Sequence, residues 1–255
     1  MNTNTPTKIN QLLQKVPHGG LFLASWMYEN GISRELQRHY KDFQWLTSIG
    51  TGVMVRTGET PGIYGAISSI NEQDNKHFTI GAMSALEIAG YAHYLPMGKR
   101  TTVLFSSKGE RLPLWFTKLD WDVYVRHHTT ECFSPNLGID TVLQEGFNLL
   151  VSSPERAFME CLYLSPQYYN PTDLYYVMEM LSLIRPNKVQ ELLEDCKSIK
   201  VKRLFLYMAE KAGHDWFKML DRSKISLGSG KRAITKNGVY NREYQITIPK
   251  ELANE

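Results

Sequence analysis

Between Ser33 and Lys41 the chain reads SRELQRHYK, a run whose donors are spaced to meet a nucleic-acid groove. Ser33 has the chemistry of a helix N-cap, with a hydroxyl that can take up a free backbone N–H of the first turn. On the helix that follows, Arg34, Gln37, Arg38 and Lys41 share one face, while Leu36, Tyr40 and Phe43 share another. A helix of this kind packs its apolar stripe on a small core and turns its polar stripe outward. An Arg there can take guanine O6 and N7 together, a Gln can take adenine N6 and N7, and Lys41 suits phosphate. Arg56, further along, is a candidate for the DNA backbone or the minor groove.

Other clusters support less chemistry. Gly228-Ser229-Gly230-Lys231-Arg232 invites comparison with a phosphate-binding loop, but Ile225 stands where that pattern needs its first Gly. Arg232 also stands where it needs Ser or Thr. The run reads as a glycine turn carrying two cations. His127-His128 with Glu131 and Cys132 fits no zinc spacing, and adjacent strand residues point to opposite faces. No metal and no other cofactor is expected. GxSxG, HExxH and GxGxxG are absent. Asp120, Asp122 and Asp140 have no spacing diagnostic of metal-dependent cleavage, so no catalytic residue is assigned and the chain reads as a non-enzyme.

The elements that must position the first cluster form a recognisable order. Ile9, Leu12, Leu13 and Val16 lie at helical spacing over 7–16. A second helix covers 23–29 and stops at Asn30-Gly31. The helix from Arg34 to Phe43 comes next, followed by strands at 45–49 and 53–56 around Gly50-Thr51-Gly52. That order is a winged helix-turn-helix. The Gly-rich stretch from Gly58 then reads as an exit from the small domain. The expected division is a winged domain over 1–60, a connector over 61–76 and a larger α+β domain over 77–255.

In the larger part, 78–92 reads as a helix rich in small residues, and 101–105, 112–117, 121–126 and 147–151 read as strands. Ser153-Pro154-Glu155 and Asn170-Pro171 are strong helix starts. Shorter helical patterns carry Val189, Leu192 and Leu193, then Val201, Leu204, Phe205 and Met208, and the tail returns to strands around Asn237-Gly238. The whole is an α/β (α+β) chain.

The chain has 255 residues, 42% hydrophobic and 22% charged, within the ordinary range for a globular protein. No run is apolar enough to span a membrane, and the polar first residues are not a secretory signal. Three cysteines without CxxC spacing suit free thiols in a reducing cytoplasm. Basic residues outnumber acids between Arg185 and Lys236, which favours an anionic partner.

Five stretches resemble the AbiEi antitoxins of bacterial type IV toxin–antitoxin (abortive infection) systems, in the branch with a winged-helix N-terminal domain. They are GISRELQRHYKDFQWLTSIGTGVMVR at 31–56, SALEIAGYAHYLP at 84–96 and SPERAFMECLYLSP at 153–166. LSLIRPNKVQELLEDCKSIKVKRLFLYMAEKAGHDWFKMLD at 181–221 and ISLGSGKRAITKNGVYNREYQITIP at 225–249 complete the match. The resemblance implies an N-terminal domain that binds inverted repeats in double-stranded operator DNA and represses its own operon. It implies a C-terminal domain that counters an AbiEii-like nucleotidyltransferase toxin without requiring a stable complex with it. The DNA role carries over to Ser33, Arg34, Gln37, Arg38, Lys41 and Arg56. Charge alone suggests Lys200, Lys202, Arg203, Lys231 and Arg232 as a second anionic contact. The residues also leave open a winged-helix regulator whose larger domain senses a ligand in an apolar pocket.

Overall fold

The computed structural model describes residues 7–91 and 98–254. Its first elements are α1 (Lys8–Lys15), β1 (Phe22–Leu23), α2 (Ala24–Glu29), α3 (Arg34–Asp42), β2 (Leu46–Gly50) and β3 (Val53–Arg56). The strands pair antiparallel in the order β1-β3-β2. Three helices and this small sheet make the winged helix-turn-helix that the sequence pattern predicts.

Strand alternation divides the sheet between two cores. Phe22 and Met54, paired across β1 and β3, face the head and meet Ile9, Leu12, Met27, Ile32 and Tyr40. Leu21, Leu23, Val53 and Val55 point the other way and join the main core. Strands β1 and β3 of the winged sheet are therefore buried on both faces, while β2 stays partly open.

What covers the sheet's second face is α4 (Ile63–Gln73), in the stretch that sequence reasoning offers as a connector. Ile63, Ile67 and Ile70 are buried on it. Gly65 is required there, since a Cβ would stand 2.3 Å from the Gly19 carbonyl oxygen. Glycine content reads as an exit loop, but Gly65 serves close helix packing, while Gly58 and Gly62 face open space.

The rest of the chain runs β4 (Thr79–Ile80), α5 (Ala82–Ile88), β5 (Thr101–Ser106), α6 (Leu114–Lys118), β6 (Tyr124–Thr129), β7 (Ile139–Gln144) and β8 (Phe147–Ser152). Then come α7 (Pro154–Leu164), α8 (Pro171–Met180), α9 (Pro186–Asp195), α10 (Ile199–Ala212), β9 (Arg232–Ala233), β10 (Val239–Asn241), β11 (Ile246–Ile248) and α11 (Lys250–Asn254). A five-stranded mixed sheet has the order β6-β5-β4-β8-β7, and a second small sheet has the order β10-β11-β9.

Several expectations are corrected. The helix expected over 78–92 begins only at Ala82, because Thr79 and Ile80 fill the centre of the sheet against Phe105 and Leu104; residue 92 lies outside the described residues. The strand expected over 112–117 is a short helix that starts after Pro113. Strand β7 was not legible; it forms a hairpin with β8 through Glu145 and Gly146, both at positive φ. Helix α7 starts at Pro154 as its signals require, and its Glu160 is fully buried. That carboxylate accepts from Arg156 Nε (2.9 Å), Ser152 Oγ (3.0 Å) and the Ala82 N–H (2.9 Å), tying α7 to the start of α5. Among the described residues, no helix is long and apolar enough to cross a membrane.

Candidate nucleic-acid interface

Helix α3 begins as its sequence suggests: the Ser33 hydroxyl accepts from the Leu36 N–H at 3.2 Å. Arg34, Arg38 and Lys41 are exposed along it at i, i+4 and i+7. Arg38 lies 3.9 Å from Asp42, an exposed pair that leaves its charge open to other partners. Gln37 departs from the expectation. Its side chain is buried, and Nε2 donates to the Ala24 carbonyl at 3.0 Å and to the Ile32 carbonyl at 3.1 Å. It fastens α3 to the start of α2 and has no donor left for a base. Phe43, expected on the inner stripe, is 61% exposed, with its ring 4.2 Å from that of His39.

The wing is closed in on one side. The Ala24 N–H donates to the Gly52 carbonyl at 2.9 Å, and a Cβ on Gly50 would lie 3.2 Å from Trp115 Cβ. Thr47, Ser48 and Thr51 are exposed on the wing, but Arg56 is not available to DNA. Its guanidinium donates to the Leu13, Val16 and Pro17 carbonyls and pairs with Glu59 at 3.4 Å. The reason is general: the last carbonyls of a helix lack intrahelical partners and attract cations. Two residues missed by the sequence reading take a more open place. Lys8 Nζ donates to the Gly31 carbonyl at 3.3 Å, and Lys15 Nζ to Asn30 Oδ1 at 2.7 Å, both exposed beside the α2–α3 turn. Their seven-residue spacing on the polar side of α1 was the available signal.

The second proposed cationic group is mostly turned inward. Lys200 donates to the Tyr163 (2.7 Å) and Ser165 (2.6 Å) carbonyls at the end of α7, and burial lowers its pKa. Lys202 reaches the Glu194 carbonyl at 3.4 Å. Arg203 is 1% exposed and donates to the carbonyls of Leu227 (2.9 Å), Gly228 (3.2 Å), Gly230 (2.6 Å) and Gln245 (3.0 Å). The Gly228–Gly230 turn thus aims carbonyl oxygens at a cation. A phosphate cradle needs converging N–H groups, which is the opposite polarity. Lys231 and Arg232 remain exposed, with Lys231 Nζ 5.0 Å from the Tyr240 ring centre.

Part of the wider basic stretch is answered by local acids. Arg185 holds Glu155 (3.0 Å), Lys188 reaches Asp140 (3.4 Å), Arg222 lies between Glu210 and Glu243, and Lys224 meets Asp221. His127 bonds Ser106 Oγ through Nε2 at 2.8 Å and packs on Phe78, whereas His128 packs on Phe105 and Tyr168. Burial lowers the pKa of both. Among the described residues, no group of three or more His, Cys, Asp or Glu side chains is placed to hold a metal. A cavity of about 310 Å³ beside the β6–β7 loop has a mixed lining, with Phe105, Phe133, Ile139 and Leu150 beside His77, Glu110 and Asn136.

Comparison with known proteins places these features in context. Residues 5–97 match the family model described as transcriptional regulator, AbiEi antitoxin N-terminal domain. Residues 99–249 match that described as transcriptional regulator, AbiEi antitoxin, type IV TA system. No curated protein matches the chain. The crystal structure of the RV2827C protein from Mycobacterium tuberculosis is similar, with a TM-score of 0.59 and 17% identity, covering 96% of this chain and 92% of that one. At that identity the likeness is one of fold.

Proposed function

The chain belongs to the AbiEi antitoxins, transcriptional regulators of type IV toxin–antitoxin systems, and we propose that it represses its own operon through α3 and counters a nucleotidyltransferase-like toxin through its larger part. The observation that carries the DNA reading is the presentation of α3. Gln37 locks the helix from behind, and Arg34, Arg38 and Lys41 stand free in front. A helix held rigidly loses little entropy when its long donors engage base edges.

In this reading α3 enters the major groove of double-stranded DNA, with Arg34 and Arg38 at the bases and Lys41 at phosphate. Lys8 and Lys15 hold the flanking backbone. Arg56 and Gln37 act from within, as struts of the head. One head makes few base contacts, so two copies on an inverted repeat supply the specificity. Lys231 and Arg232 form a separate anionic contact. The protein works without catalysis, in the cytoplasm, whose reducing conditions suit its three free, buried thiols. Protection from the toxin needs no stable complex with it.

The test is binding of the purified protein to the DNA upstream of its own gene, measured at several salt concentrations. Affinity should fall steeply with salt, and replacing Arg34 and Arg38 together by Ala should weaken it by roughly tenfold or more. Wild-type affinity in that double variant would sink the recognition-helix assignment. For the toxin, co-expression with an adjacent nucleotidyltransferase-like reading frame should restore growth; failure to protect would remove the antitoxin role.

A further inference from the structure

Cys132 and Cys196 are 64 positions apart, yet their Sγ atoms stand 3.5 Å from each other. Both are free thiols. Cys132 lies in the loop between β6 and β7, and Cys196 caps the end of α9 just before α10 begins. The two segments are stitched together around the pair. The Lys197 N–H donates to the Cys132 carbonyl at 2.9 Å. The Ser134 N–H and hydroxyl donate to the Asp195 carboxylate at 2.7 and 2.6 Å. The backbones are thus already held at neighbouring positions, and closing the sulfurs to a covalent distance of about 2.0 Å needs mainly side-chain rotation.

We propose that Cys132 and Cys196 form an oxidative modification site that closes to an intramolecular disulfide on exposure to peroxide. Cys132 is the point of entry. It retains 6% exposure against 2% for Cys196. The hydrogen bond from Cys196, with the Ser198 and Lys197 N–H groups, lowers the Cys132 pKa against the effect of burial, whereas the Cys196 thiol is pushed up. The Cys132 thiolate attacks one oxygen of hydrogen peroxide, breaking the O–O bond. This leaves a sulfenic acid and, after proton uptake, water. Cys196 then attacks the Cys132 sulfur as its proton leaves, and the sulfenic oxygen departs as a second water. Two thiols lose two electrons to one peroxide, and a thiol reductant reverses the bond. Cys161, fully buried on α7 with its thiol pushed well up by burial, stands outside the reaction.

The experiment treats the reduced full-length protein with graded hydrogen peroxide. Free thiols should fall from three to one, and the intact mass should drop by two hydrogens. One peptide cross-link, joining the segments that contain Cys132 and Cys196, should appear and vanish with dithiothreitol. Cys132→Ala and Cys196→Ala should each abolish the cross-link, while Cys161→Ala should retain it. Closing so long a loop should also raise the thermal midpoint of the oxidised wild-type protein. Peptide mapping of the wild-type protein decides the matter even where a variant folds poorly. Oxidation that stops at sulfinic acid on separate cysteines, or a cross-link through Cys161, would overturn the proposal.

Discussion

Gln73 on α4 accepts from the Leu23 backbone N–H at 2.8 Å, and its Nε2 returns a bond to the Leu21 carbonyl at 2.6 Å. Ser69, one turn earlier, accepts from the Leu21 N–H at 2.9 Å. Strand β1 is an edge of the winged sheet, and an edge presents unpaired donors and acceptors. Side chains of a helix satisfy them here in place of another strand. The winged head is thereby joined to the rest of the molecule through polar pairing as well as apolar packing.

Replacing Gln73 by Ala should destabilise the protein by about 2–4 kcal/mol, since it strands a buried N–H and a buried carbonyl. Denaturant unfolding measures this as a lowered midpoint. An unchanged midpoint would mean that water takes over both groups.

A fragment starting at residue 77 should fail to fold cooperatively. It lacks α4, whose Ile67 and Ile70 are completely buried in the main core. Near-ultraviolet circular dichroism and a melting curve report the loss. A sharp transition in that fragment would show that the larger part closes over the gap.

Arg34→Ala with Arg38→Ala should weaken operator binding by roughly tenfold or more while leaving the thermal midpoint in place. Gln37→Ala should do the reverse in kind: it should lower the midpoint, because its amide ties α3 to α2. Lys8→Ala and Lys15→Ala should each reduce the salt dependence of binding by about one unit of slope. Fluorescence anisotropy across a salt series separates the three behaviours.

Arg203→Ala should cost at least about 3 kcal/mol, because four carbonyl groups lose a charged donor inside the protein. The turn before Lys231 should loosen, and trypsin should cut after Lys231 or Arg232 faster than in the wild type. Equal cleavage rates would mean that the turn holds without the guanidinium.

Glu155 supplies an acid-dependent contribution. Burial would raise its pKa, but the Arg185 side chain and N–H, with the helix-start N–H, hold it at about 2 against an ordinary value of 4.5. A carboxyl held down in the folded state stabilises above its unfolded pKa, and that stability is lost as pH falls from about 4.5 towards 2. Arg185→Gln should therefore lower the thermal midpoint more near neutral pH than near roughly pH 3. Equal losses at both would show that the pair contributes nothing through ionisation.

The sequence by itself determined the head, the family and most helices of the larger part. Those signals are local: Ser33 caps α3, Asn30-Gly31 stops α2, Pro154 starts α7, and apolar residues recur at helical spacing. It also showed which residue types α3 carries. Tertiary structure alone decided which of those donors are free. Gln37 and Arg38 are neighbours in the chain, yet one is consumed by the Ala24 and Ile32 carbonyls and the other faces solvent. Arg56, Lys200, Lys202 and Arg203 are equally plausible in sequence as anion contacts, and each instead meets backbone carbonyl oxygen of another segment, from 8 residues away for Lys202 to 40 for Arg56. A cation's sequence position gives its charge but not the partner that folding brings to it. Helix ends and tight turns leave carbonyls unpaired, and only the packed chain shows which cations they have already taken.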